Sequence, residues 1–231
     1  MGTFKKNTQE QTIMNQKRWS TKGILLDLDG TIVDSTGAYI EAAKIAFQAM
    51  EKKTPENKVL LEIPKRIEQR LTIDDLTHGK TKKFMQIYLK AFYSVTETKT
   101  KLMPNVSKTL LALSEKSKLA LVTMRHVPSQ VIQKELDCFG IAKYFTHIVT
   151  AMDTSKPKPS PEALIRCVEA LDLEMCDCII TGDSVNDVRA GKAAGARTVA
   201  VLSGLFQRGE LARECPDLIL PDVSVLPKFI Q

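Results

Sequence analysis

The chain has 231 residues, 43% hydrophobic and 26% charged, with a formal net charge of +6. That is ample apolar material for one large domain or a core plus a smaller unit. No window approaches the roughly 18 apolar residues a membrane span needs, and the N-terminus lacks the apolar stretch of a secretory signal. The expectation is a soluble, cytoplasmic protein whose five cysteines are reduced thiols; Cys176 and Cys178 have one intervening residue where metal knuckles have two, and His78, His126 and His147 are too scattered for zinc. Positive charge is uneven: residues 1–22 carry five basic and one acidic side chain, residues 36–101 thirteen and eight, and the remainder sums to −3. No aromatics interleave with the basic residues, so the pattern argues against a nucleic-acid surface and for a field that attracts small anions.

In chain order, residues 1–21 read as a polar, basic extension. The apolar run GILLDLD (23–29) reads as the first buried strand. Residues 36–101 read as a small all-helical unit inserted after it, with helices over 37–50, 62–71 and 82–95 and hinges near 35–37 and 101–104. In the last helix Phe84, Ile87, Tyr88, Ala91 and Phe92 share one face at helical spacing, as packing residues do. From residue 102 strands over 119–123, 147–151, 178–183, 198–202 and 217–221 alternate with helices over 104–115, 128–139, 160–171 and 186–194, Ser160 serving as an N-cap. This alternation predicts an α/β, Rossmann-like, three-layer fold around a parallel sheet. The core would comprise residues 22–35 and 102–231.

Ligands of such sheets bind beyond the carboxyl ends of the strands. There the sequence places Asp27-Leu28-Asp29-Gly30-Thr31, then Thr123-Met124-Arg125, then Lys156-Pro157-Lys158-Pro159, then Gly182-Asp183-Ser184-Val185-Asn186-Asp187. Clustered carboxylates repel unless a cation sits among them, and an all-oxygen donor set suits Mg²⁺. A hydroxyl, backbone N–H groups and a lysine would then receive a phosphate dianion.

These four strings resemble, in order, the motifs of the haloacid dehalogenase-like hydrolase superfamily in its phosphatase branch. The resemblance implies Mg²⁺ and a catalytic set of Asp27, Asp29, Thr123 and Lys156. Asp27 would be the nucleophile that forms an aspartyl-phosphate. Asp29 would protonate the leaving oxygen and then activate water. Thr123 would hold the phosphoryl group and Lys156 would offset charge, with Lys158 a solvent-exposed neighbour. The metal would be held by Asp27, the Asp29 backbone carbonyl and Asp183, with Asp187 acting through water or orienting Lys156. Gly30 would permit the tight exit from the strand, and Gly30, Thr123, Met124, Arg125 and Lys156 would face the substrate. Met124-Arg125 departs from the residues usual in close relatives; Arg125 would reach a substrate carboxylate or phosphate, or pair with a local acid. The insert resembles the family's helical cap, and the C-terminal stretch from Gly204 its phosphoglycolate phosphatase and pyrophosphatase branch. The resemblance thus implies a phosphatase for a small organic phosphate, phosphoglycolate foremost. A β-phosphoglucomutase-like mutase, a pyrophosphatase and a non-catalytic binding protein are the alternatives. Oligomeric state is not legible.

Overall fold

A computed structural model describes residues 18–231. Most of the N-terminal extension read from the sequence lies outside them. In chain order the elements are β1 (Gly23–Leu26), β2 (Val33–Asp34), α1 (Thr36–Ala49), α2 (Asn57–Glu68), α3 (Asp74–Thr77), α4 (Thr81–Lys99), β3 (Lys101–Leu102), α5 (Val106–Ser114), β4 (Lys118–Val122), α6 (Ser129–Cys138), β5 (Phe145–Val149), α7 (Glu162–Leu171), β6 (Cys178–Gly182), α8 (Val185–Ala194), β7 (Arg197–Val201), α9 (Arg208–Arg213) and β8 (Leu218–Leu220).

Six strands form one parallel sheet in the order β5-β4-β1-β6-β7-β8. Every residue of β1 is buried, because side chains alternate between two covered faces. Ile24 and Leu26 join the cluster with Leu110 of α5 and Ile132 of α6, while Leu25 joins Leu164 and Cys167 of α7. The three-layer α/β reading therefore holds. β1 lies between β4 and β6, so the chain just after Leu26, Val122 and Gly182 converges at one edge. No helix among the described residues is long and apolar enough to cross a membrane, and all five cysteines are free thiols.

Between β1 and β4 the helices α1 to α4 gather their own apolar cluster, centred on Phe47, Leu60, Ile63, Phe84 and Phe92. An antiparallel pair joins the second segment read as a hinge to the residues just before the first, with Val33 opposite Leu102 and Asp34 opposite Lys101. Most boundaries shift from the sequence reading by a few residues, and three of the shifts stand out. Helix α2 runs from Asn57 to Glu68 with Pro64 inside it, where the sequence reading placed a helix over 62–71. β5 ends at Val149, since Thr150 and Asp153 form a capping box that turns the chain. Helix α7 starts after Pro161 with no side-chain cap, and Ser160 Oγ is a long 3.4 Å from the Glu162 N–H.

Candidate active site

Asp27 follows β1 directly, its N–H bonded to the Thr181 carbonyl at 2.9 Å, so its carboxylate stands at the carboxyl edge of the sheet. A buried ammonium meets it there, and it belongs to Lys158. Lys158 is 2% exposed, and its Nζ donates to Asp27 Oδ1 at 2.6 Å, to Asp187 Oδ1 at 2.6 Å and to the Val122 carbonyl at 3.2 Å. Lys156, favoured by the sequence reading, is exposed, and only its backbone N–H is engaged, with Glu162. The assignment is therefore corrected: Lys158 is the inward lysine and Lys156 the surface one. Both begin a Lys-Pro-x-Pro string, and the Glu162 carboxylate, gripping the Ser155 and Lys156 N–H groups, fixes the loop with Lys156 outward. Burial works against the charge on Lys158, but Asp187 and Asp27 outweigh it and hold its pKa above the ordinary lysine range. The Lys158 side chain is thus a fixed cation beside Asp27.

Asp187 acts through that lysine. Its Oδ1 accepts from Lys158, and its Oδ2 accepts from the Ser184 N–H at 3.1 Å and hydroxyl at 2.8 Å, in the capping box that opens α8. Asp27, Asp183 and Asp187 each place an oxygen within 4.8 Å of the others. Among the described residues, Asp27 Oδ2 and Asp183 Oδ1 accept no hydrogen bond, and Asp183 Oδ2 takes a single long one from the Leu205 N–H at 3.3 Å. Burial raises the Asp27 carboxyl against the pull of Lys158, and Asp187 raises it further; burial also raises Asp183, joined by the charges of Asp27 and Glu68. Crowded hard oxygens that repel one another and lack donors fit a divalent cation such as Mg²⁺. The backbone presses in around Asp183: a Cβ on Gly204 would lie 1.7 Å from its Oδ2, and one on Gly30, whose φ is +79°, 2.5 Å from its Cγ. Glycine is required at both positions.

The Asp29 carboxylate points away from this cluster. Arg125 holds it with two donors, Nε to Oδ2 at 2.8 Å and Nη2 to Oδ1 at 2.6 Å, and Ser35 donates its hydroxyl to Oδ1. Arg125 is 4% exposed, also bonds Glu135 through Nη1 at 2.5 Å, and lies over the Phe92 ring at 5.6 Å. Of the two roles considered for Arg125, pairing with a local acid is the one its contacts display, and the acid is Asp29. Thr123 is buried at the end of β4, its Oγ1 accepting the Arg125 N–H at 3.2 Å. The neighbouring Met124, not Thr123, lines the cavity wall.

The inserted helices complete the enclosure. A polar cavity of about 60 Å³ is bounded by Asp27, Asp29, Gly30, Asp183, Tyr39 and Glu68. It adjoins a second, of about 170 Å³, that shares Asp29, Tyr39, Glu68 and Met124. Tyr39 lies on α1 and Glu68 ends α2. Burial first, and then the charge of Asp187, push the Glu68 carboxyl up to about 7. The helices close on the core through Asn186 Nδ2 to the Glu68 carbonyl (2.7 Å), Lys65 to Glu210 (2.8 Å) and the His126 N–H to the Tyr93 hydroxyl (2.8 Å). Sequence reasoning missed Glu68, Tyr39 and Lys158. For the first two no local motif exists, since tertiary closure alone brings them in.

A cluster of carboxylates at the carboxyl edge of a parallel sheet, one of them held by a buried lysine, stands where α/β enzymes carry their sites. Residues 24–201 match the family model described as haloacid dehalogenase-like hydrolase, and the chain belongs to that family. It is 31% identical over 230 residues to the phosphoglycolate phosphatase of Escherichia coli (strain K12), covering 89% of this chain and 90% of the relative. It is 29% identical over 227 residues to the phosphoglycolate phosphatase of Salmonella choleraesuis (strain SC-B67), covering 88% and 90%. A solved structure described as a predicted phosphoglycolate phosphatase from Haemophilus somnus 129pt superposes with a TM-score of 0.74 at 25% identity, covering 92% of this chain and 99% of that one. The chain is thus an enzyme of the haloacid dehalogenase-like family, similar over most of its length to that family's phosphoglycolate phosphatases.

Proposed function

We propose that this chain is a Mg²⁺-dependent phosphatase that hydrolyses a small organic phosphate monoester through an aspartyl-phosphate on Asp27. The observation that carries the reading is the Asp27 carboxylate itself: Oδ1 is fixed by Lys158 at 2.6 Å, while Oδ2 accepts no hydrogen bond among the described residues, at the edge of the polar cavity. A carboxylate held at one oxygen and open at the other is oriented for in-line attack. Bound Mg²⁺, held by Asp27, Asp183 and the Asp29 backbone carbonyl, would supply charge neutralisation for the phosphoryl oxygens.

The remaining roles belong to the chain. Lys158 offsets the charge that builds up on the nucleophile and the phosphoryl group, and Asp187 keeps that lysine aimed. Thr123, buried behind Met124 with its Oγ1 accepting the Arg125 N–H, would have to turn its hydroxyl into the cavity to take a phosphoryl oxygen. Asp29 borders both cavities, between the phosphoryl position and the space for the leaving group. To serve as general acid it must release one oxygen from Arg125 and turn it to the leaving oxygen. The inserted helices act as a cap that excludes water during the first step. Phosphoglycolate is the first compound to assay, on the strength of the relatives. The experiment for the intermediate is hydroxylamine trapping during turnover: peptide mass spectrometry should find the hydroxamate on Asp27, and a phosphatase that leaves Asp27 unmodified would contradict the covalent route.

A further inference from the structure

In the structure the Asp29 carboxylate is engaged rather than free to act. Its two oxygens accept from Nε and Nη2 of Arg125 at 2.8 and 2.6 Å, and the Ser35 hydroxyl adds a third donor on Oδ1. A general acid must instead carry a proton and turn to the leaving oxygen. What Arg125 does when Asp29 turns is set by its other contacts. Nη1 donates to Glu135, the guanidinium lies on the Phe92 ring at 5.6 Å, and the side chain is 4% exposed. None of these contacts involves Asp29, so the arginine keeps its place, with the Nε–Nη2 edge directed at the position the carboxylate has given up. That position belongs to the larger cavity. Asp29 and Arg125 both line the space of about 170 Å³ that adjoins the phosphoryl position, and Arg125 is the one cation lining it among the described residues. Donors left unpaired in a buried site are costly, and this edge is already set to a planar carboxylate.

We propose that the substrate's leaving group carries a carboxylate of its own, which takes the Arg125 donors that Asp29 gives up, so that binding the correct substrate releases the general acid. Arg125 then determines specificity, and Glu135 is a positioning residue that keeps the arginine from following either carboxylate. The proposal rests on the phosphatase reading and defines its substrate class as a short phosphorylated hydroxy acid, of which phosphoglycolate is one. The exchange conserves charge around Arg125, Glu135 and Glu68, because one carboxylate arrives as another takes up a proton from solvent. Asp29 gives that proton to the leaving oxygen as the phosphorus–oxygen bond breaks. It takes one from the water that opens the aspartyl-phosphate, and returns it to solvent on pairing with Arg125 again. An ester without a carboxylate leaves Asp29 on the arginine.

The test measures kcat/KM, with Mg²⁺, for phosphoglycolate, ethyl phosphate and methyl phosphate, the last with and without formate. Methyl phosphate and formate are the two halves of phosphoglycolate. The enzymes are the wild type and Arg125→Lys, which keeps the charge and loses the fork. The wild type should prefer phosphoglycolate to ethyl phosphate by about 10²-fold or more, the scale of two charge-assisted hydrogen bonds. Formate should raise the wild-type rate on methyl phosphate several-fold and saturably, since it occupies the arginine and frees Asp29, and it should compete with phosphoglycolate. In Arg125→Lys the preference should shrink by about 10-fold or more and the activation by formate should vanish. A wild type that treats phosphoglycolate and ethyl phosphate alike, or formate that only inhibits, would overturn the proposal, and both results are read without the variant. A folded Arg125→Lys enzyme that keeps both effects would overturn it as well. Asp27-dependent release without these effects defeats only the exchange. Absence of release from every compound defeats the phosphatase reading beneath it.

Discussion

Replacing Lys158 with methionine keeps the length and apolar stem of the side chain and removes the one cation between Asp27 and Asp187. Both contacts are 2.6 Å and all three side chains are at least nine-tenths buried. Removing one partner of a buried pair leaves the other charge uncompensated, which typically costs roughly 3–5 kcal/mol. At about 2–4 °C per kcal/mol for a chain of this size, the melting midpoint at pH 8 should fall by about 6–20 °C. The deficit should narrow as pH falls, because burial already raises the Asp27 carboxyl and a protonated Asp27 no longer needs the lysine. Activity should fall by about 10²–10³, the usual loss when a fixed donor at a developing charge is removed. Lys156→Ala is the matched control. Its side chain is exposed and makes no ion pair among the described residues, so stability should move by less than about 0.5 kcal/mol, with activity close to wild type. Thermal melts and phosphate-release assays on the two variants decide the matter. If Lys156→Ala costs as much as Lys158→Met, the assignment of the inward lysine is wrong.

Three further outcomes are expected. Without metal, the protein should lose stability as pH rises from about 4.5 to about 7, because Glu68 holds its proton to about 7 in the fold but releases it near the ordinary value once unfolded; the single-group effect is at most about 3 kcal/mol. Chemical denaturation in chelator at pH 5 and pH 8 checks the sign, and Mg²⁺ should recover more stability at pH 8 than at pH 5. Gly204→Ala should displace the Asp183 carboxylate, which an added Cβ would meet at 1.7 Å, and should weaken Mg²⁺ activation by about 10-fold or more. A titration of activity against Mg²⁺ measures it. Glu210→Gln removes the ionic partner of Lys65 across the junction of inserted helices and core. It should cost no more than about 1 kcal/mol in stability, with the change in kinetics appearing chiefly in KM.

The parallel core was legible because its strands are buried on both faces and read as short apolar runs, each followed by chemistry at its carboxyl end. Asp27 and Asp183 could be placed for the same reason, since a strand end fixes where the next side chain stands. Lys158 could not be chosen this way. Two overlapping Lys-Pro-x-Pro strings satisfy the same pattern, and the loop's orientation depends on Glu162 reaching back to the Ser155 and Lys156 N–H groups. The pairing of Arg125 with Asp29 spans 96 residues and has no local signature. Tyr88 looked like a packing residue on the apolar face of α4, and it does pack, stacking on Phe84 at 5.9 Å. That the residue also lines a cavity follows only from the closure of the inserted helices over the sheet.

The most direct assay is phosphate release from phosphoglycolate, sugar and polyol phosphates and pyrophosphate, with Mg²⁺ and with a chelator, by the wild type and by Asp27→Asn. The prediction is release that requires both Mg²⁺ and the Asp27 carboxylate. Release that persists in Asp27→Asn or in chelator would contradict the mechanism, and no release from any compound would contradict the function.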